Sequence, residues 1–424
     1  GNSIAKTGPS ILIVYAILGL FFFLMMRGIG EMLYADPSQH TFVAFISKYV
    51  SPGAGYFAGW SYWIGLTFVA MAELTAVSTY VKFWFPTWQT WLIQIFFLAI
   101  LTLVNLVAVK VFGETEYWFA MIKIIAIIAM IVTGLFLIFT GFKAPASGGN
   151  TVASFGNITH HFSLFPNGPA MFFAAFPMVF FAFQGMEFVG ITTAETENPR
   201  GVLPRAINTI ILRILIFYLG AMTIIMSIID WHVIAKTPEQ SPVVMVFQLA
   251  GFKAAAAVIN FVVLTSAASA LNSAIYSAGR HFYQLAQESH IPVMSRFEKI
   301  SKHGVPANAI LLTATLVLLS PVINAIPQIT SSFSFITAVS SNMYIIVYAM
   351  TMYAHRKFRA SSDYLPNGFT MPAYSLTSPL TLLFFAAIYV SLFFQSDSRM
   401  PAIGAIIFTL IFGTLAHRKF AGKS

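Results

Sequence analysis

The sequence predicts an all-α polytopic membrane protein, and three observations carry that expectation. Only 9% of its 424 residues are charged, against 58% hydrophobic and 16% aromatic, whereas soluble domains carry roughly 25% charged residues. Apolar runs of about 20 residues recur along the whole length, each long enough to cross a hydrocarbon core of ~30 Å at 1.5 Å per residue. Lysines and arginines are confined largely to the short segments between those runs, as membrane topology requires. With that scatter, the formal charge of +9 marks topology and gives no sign of a nucleic-acid partner. The absence of cysteine excludes a disulfide framework and any thiolate ligand or nucleophile.

About eleven spans follow in order. The first runs about Pro9–Leu33 and closes with Arg27 and Glu31, an i,i+4 pair expected to bond across one helix face at the membrane edge. After the polar ADPSQH turn comes a short amphipathic piece, TFVAFISKYV. The second span, Gly53–Tyr80, is rich in small residues, which let helices approach closely in lipid, and it carries Glu73. Trp84, Trp88 and Trp91 form an interfacial belt before the third span, which ends near Val109. Lys110–Glu116 reads as a loop, and the fourth span, Trp118–Phe139, contains Lys123.

The long loop Lys143–Pro169 holds the pair His160-His161, expected to be solvated, and the chance-level sequon Asn157-Ile158-Thr159. The fifth span, Met171–Thr193, is interrupted in its middle by Gln184-Gly185-Met186-Glu187. A polar turn, AETENPRGVLPRAIN, leads to the sixth span at Ile210–Ile229. The second long loop, Asp230–Gly251, has a small helix expected near Val243–Leu249. The seventh span, Ala254–Tyr276, encloses the polar run Thr265-Ser266 to Asn272-Ser273. A charged loop follows to His303, and the last spans lie near Ala307–Asn324, Ile329–Tyr353, Pro379–Phe394 and Pro401–Leu415.

Alternating the loops with the carboxyl tail inside places sixteen of the 23 basic residues on the cytoplasmic side and six outside, with Lys123 apart within a span. This bias supports a cytoplasmic carboxyl terminus. An odd number of spans then puts Gly1 outside without a signal peptide, so one further span is expected upstream.

Chemistry concentrates in few residues. Glycine weakens a helix by about 1 kcal/mol relative to alanine, and an acid at mid-span costs at least ~2.5 kcal/mol on insertion scales. Gly185 and Glu187 together therefore mark a broken helix, which is tolerated where backbone lines a cavity. Glu187 either belongs to a solute site or braces the break by accepting backbone N–H bonds. Lys123 either snorkels to the headgroups or sits buried and exchanges a proton. Glu73 is expected to make a structural polar contact. Ser266, Ser269, Asn272 and Ser273 recur near helical spacing and serve either helix–helix hydrogen bonds or a polar pocket wall. No phosphate loop, metal-ligand spacing or nucleophile elbow is present, so neither an enzyme nor a cofactor is expected.

The stretches GPSILIVY, MRGIGEM, GYFAGWSYW, VKVFGETEYWFAMIKIIAI, FAFQGMEFVGITTAETENP, LPRAINTIILRILIFY, INFVVLTSAASALNSAIYS and SRFEKISKHGVP resemble the bacterial amino acid transporter family of the amino acid-polyamine-organocation superfamily. The likeness is dense from Gly1 to about Pro306. It implies a five-plus-five inverted-repeat fold with two added helices, alternating access and usually proton symport. On that plan residues 1–142 form the first repeat without its first helix, 169–355 the second repeat and 377–416 the added pair. The missing helix carries, in the family, amides for the substrate carboxylate.

The resemblance also implies roles. The break from Phe180 to Glu187 would offer carbonyls to the substrate amine, with Phe181 or Phe183 as gate or wall. Gln184, where relatives more usually have a small or apolar residue, and Gly185 belong to the same segment. Ser273 and Ala274 would line the pocket from the facing helix. Lys123 matches a lysine that carries the proton in relatives, with Ser269 near it and Glu187 a second coupling candidate. The fifth and seventh spans look most like alanine, serine and glycine carriers, D-isomers included, while VAMAELTAV looks more like the aromatic carriers. The expectation is import of small neutral amino acids across the cytoplasmic membrane, with aromatic or other neutral amino acids second. A channel, or an inactive remnant, is the alternative of a different class.

Overall fold

The computed structural model describes the chain except positions 40, 108, 144–151, 161, 189–195, 197, 239, 250–252, 290–291, 327–328, 330, 395 and 421–424. The described residues are helical, with a single isolated bridge between Lys143 and Val152 in place of strands. Among the described residues, ten helices are long and apolar enough to span a bilayer, and a further apolar segment, Pro169–Phe183, is shorter.

We label the helices α1 (Asn2–Ala35), α2 (Val43–Tyr49), α3 (Pro52–Val81), α4 (Thr90–Val107), α5 (Val109–Phe139), α6 (Pro169–Phe183), α7 (Pro199–Ile228), α8 (Pro242–Leu249), α9 (Lys253–Ser289), α10 (Ala307–Asn324), α11 (Ser332–Arg359), α12 (Tyr374–Ser391) and α13 (Ser396–Phe420). Several boundaries differ from the sequence expectation. The residues 110–116, expected as a loop, are helical and belong to α5. The polar turn after the fifth span is largely the first turns of α7, because Asn198 caps it by accepting from the Gly201 amide and Pro199 occupies the first turn, a combination that starts helices. The charged segment after the seventh span continues α9 to 37 residues in all, since no proline lies between Tyr276 and Ser289.

The chain divides into two compact units. The first comprises Gly1–Val14, Leu66–Ala175 and Ile216–Ile336. Its long helix α9 packs against α4, α5, α8 and α10. Hydrogen bonds between spans tie it together: Asn105 Nδ2 donates to Asn272 Oδ1 at 2.7 Å, Asn260 Nδ2 donates to the Tyr80 carbonyl at 2.9 Å, and the Thr75 and Ser320 hydroxyls share a bond of 3.0 Å. Val77, Val81, Ile93, Leu264 and Ala267 form an apolar cluster beside them. Gly134 lets α5 approach the end of α7, where a Cβ would lie 2.1 Å from the Ile224 side chain.

The second unit comprises Tyr15–Gly65, Phe176–Leu215 and Thr337–Ser424. Its interior is aromatic: Phe22, Phe42, Phe45, Phe180, Phe183, Tyr344, Tyr348, Phe358 and Phe385 are all essentially inaccessible. Around Tyr56, Phe57 and Ala416, α13 packs on the first half of α3 with Phe408, Phe412 and Phe420. Large apolar side chains are exposed in each unit, Phe96 and Phe136 in the first and Leu383 and Leu410 in the second, as a lipid-facing surface requires.

Arg27 and Glu31 do not bond to each other as their spacing suggests. Arg27 donates to the Asn208 side chain at 2.8 Å and to the Thr370 carbonyl, lying over the Phe369 ring. Glu31 is taken by His355, Arg359 and the Met371 amide. Buried charges need hydrogen-bonding partners on all sides, and the last turns of α11 together with the segment after it supply more of these than a neighbour on the same helix can.

Candidate functional site: a broken helix and a buried carboxylate

Helix α6 ends at Phe183, and the chain turns through Gln184, Gly185 and Met186. Gly185 has φ of 91°, a left-handed conformation that side chains with a Cβ strongly disfavour. Its amide, turned away from the helix ladder, donates to Glu187 Oε2 at 3.0 Å. The carboxylate thus lies two residues beyond the glycine and bonds back onto the break.

Glu187 is fully buried. Tyr62 from α3 donates to its Oε1 at 2.9 Å, and Tyr348 from α11 to its Oε2 at 2.6 Å. The two tyrosines are joined through Tyr344, whose ring lies 5.2 Å from Tyr62 and 5.5 Å from Tyr348. Neither phenol was singled out in the sequence, where a tyrosine within an apolar span reads as core. The signal available was polar: a buried acid needs donors, and hydroxyls on neighbouring spans are the cheapest to bury.

Phe180 and Phe183, three residues apart and hence on one helix face, are fully buried with ring centroids 5.0 Å from Phe22. Phe181 is half-buried. The Gln184 amide is held by two hydroxyls of α11: Ser340 donates to its Oε1 at 2.8 Å, and its Nε2 donates to Ser341 at 3.3 Å. Ser341 also donates to the Pro177 carbonyl inside α6. These bonds fix the chain on the amino side of Gly185, as the bonds of Tyr62 and Tyr348 to Glu187 fix it on the carboxyl side.

The remaining expected residues lie in the first unit. Lys123 on α5 and Glu73 on α3 are both half-buried. Ser269 is buried on α9, the helix packed against α5. Ser273 is half-buried and Ala274 buried on the same helix. Asn272 takes the interhelical role, bonding to Asn105. His160 is exposed, His161 lies outside the described residues, and the Asn157 amide donates to the carbonyls of Val152 and Ser227.

A bundle of membrane-spanning helices, one broken around a glycine and a buried carboxylate, defines a multi-pass membrane protein of the transporter class. The sequence pattern of the amino acid permease family matches residues 1–415, and the chain belongs to that family. It is 50% identical to the DL-alanine permease SerP2 of Lactococcus lactis subsp. cremoris, over 97% of this chain and 88% of the relative. It is 48% identical to the serine permease SerP1 of the same organism, over 99% of this chain and 92% of the relative. A D-serine/D-alanine/glycine transporter of Escherichia coli is 39% identical over 95% of this chain and 85% of its own length.

Proposed function

We propose that the protein imports small neutral amino acids, foremost alanine, serine and glycine with D-isomers among them, across the cytoplasmic membrane. The observation that carries this reading is the identity of about half to permeases named for alanine and serine, extending over nearly the whole chain. Transport is secondary and active: alternating access on a five-plus-five repeat, with the repeats at 1–142 and 169–355, the added pair at 377–416 and the carboxyl terminus inside.

At the break, carbonyls freed by the turn through Gln184 and Gly185 take the substrate ammonium, and Phe181 and the neighbouring phenylalanines wall it. Tyr62 and Tyr348 hold Glu187, so that the break keeps one shape or changes shape with the protonation of that carboxylate. Ser273 and Ala274 line the solute path from α9. The proton is carried by Lys123 on α5, with Ser269 buried on α9, the helix packed against α5. Purified protein in proteoliposomes with an inward proton gradient is expected to accumulate labelled L-alanine and to show saturation and counterflow. Conduction without saturation would sink the carrier reading. Competition by a panel of L- and D-amino acids separates small from aromatic substrates.

A further inference from the structure

Outside the break, the first unit holds a cavity of about 210 Å³ where the end of α3 meets α8 and the early turns of α9. Its floor is buried Asn260, Val244 and Met245, while Gln240 and Gln248 stand exposed at its rim. Lys82, half-buried, is the one charged group among the described residues that line it. The cavity is smaller than the ~300–1,000 Å³ of drug-sized pockets and several times the ~30 Å³ share of a water molecule. That suits a solute of a few heavy atoms. A single ammonium, without an arginine fork, matches a carboxylate better than a phosphate, which favours bidentate or multiple cations. Amide carbonyls at the rim can accept from an ammonium, and the Val244 and Met245 wall suits a short apolar side chain.

We propose that this cavity is a second amino acid site, in which Lys82 takes the carboxylate of a small neutral amino acid. It rests on the proposed substrate class, and in the proposed orientation it opens outside.

The absence of native cysteine permits a local test. A Ser241→Cys variant places one thiol in the cavity lining, and its rate of modification by a methanethiosulfonate is measured on purified protein. Saturating L-alanine is expected to slow modification about fivefold or more, while L-alanine methyl ester, which lacks the carboxylate, leaves the rate unchanged. In Ser241→Cys/Lys82→Met the slowing by L-alanine disappears. The proposal is overturned if L-alanine gives no slowing in protein that still takes up L-alanine. It is equally overturned if slowing survives Lys82→Met but vanishes in Glu187→Gln, since the effect then comes from the broken helix. Slowing by phosphatidylglycerol in place of phosphatidylcholine, with none by L-alanine, assigns the cavity to a lipid headgroup and also overturns it. Absence of uptake for every amino acid, with slowing intact, instead rejects the transport reading and leaves the site.

Discussion

Glu31 Oε2 accepts the backbone N–H of Met371 at 2.7 Å, with Met371 340 residues away in sequence. His355 at 3.1 Å and Arg359 at 3.0 Å meet the same oxygen. One carboxylate thus fixes the last turns of α11 and the segment leading to α12 against α1. Removing its charge leaves Arg359 without its buried counterion, and breaking such pairs costs about 3–5 kcal/mol. Glu31→Gln is therefore expected to lower the thermal midpoint in detergent clearly, and Glu31→Asp less. Equal midpoints for wild type and Glu31→Gln would show that this cluster contributes no net stability.

Each phenol on Glu187 removes one donor when lost, and a buried acceptor left without its partner costs about 1–3 kcal/mol. Tyr348→Phe, which loses the shorter bond, is expected to reduce L-alanine uptake more than Tyr62→Phe, with both variants still monodisperse on size exclusion. Uptake at wild-type rates in the double variant would mean that the position of the carboxylate is not used in transport.

At Gly185 the left-handed backbone can be read by substitution. A residue with a Cβ costs about 1–2 kcal/mol there, although the space around it is open, the nearest atom to a Cβ at this position being Phe188 Cδ2 at 3.6 Å. Gly185→Ala should lower uptake, and Gly185→Asn, whose side chain tolerates this conformation better, should recover part of it. The reverse order would point to bulk, not backbone, as the constraint.

The proposed proton role of Lys123, with Glu73 a second half-buried charged group among the spans of the same unit, predicts a split between coupling and binding. Lys123→Ala and Glu73→Gln are expected to lose acceleration of uptake by an inward proton gradient, by about tenfold or more, equal to about 1.4 kcal/mol. Counterflow exchange should persist. Retained gradient dependence in both variants would remove them from the coupling path.

A separate charge network lies outside the spans, where Lys48 meets Asp36 at 3.1 Å and Asp363 at 3.0 Å. Burial works against the charge of Asp36, but hydrogen bonds from Ser38, Gln39 and Lys48 outweigh it and hold its carboxyl down at about 2. A depressed carboxyl contributes stability above its ordinary value of 3.8 and loses it as pH falls toward the folded value. The midpoint difference between wild type and Asp36→Asn should accordingly be constant above pH 5 and shrink between about pH 4 and pH 2. A difference that grows with acid would contradict this assignment.

How much was legible follows from which forces act locally. Composition and the spacing of apolar runs fix a helical membrane protein because, in lipid, every backbone polar group must be satisfied within its own segment. The break in the fifth span was equally visible, since glycine and a carboxylate are costly there for reasons that need no partner, and Asn198-Pro199 could have marked the true start of α7. The partners of the polar groups were not visible. Arg27 and Glu31 sit one turn apart yet bind different distant groups, and Glu187 is held by Tyr62 and Tyr348 from spans 125 and 161 positions away. The sequence by itself determined which side chains are too polar to be left alone in a membrane. Only the tertiary structure decided which donors and counterions satisfy them, because that depends on which helix faces meet, and local periodicity carries no information about its neighbours.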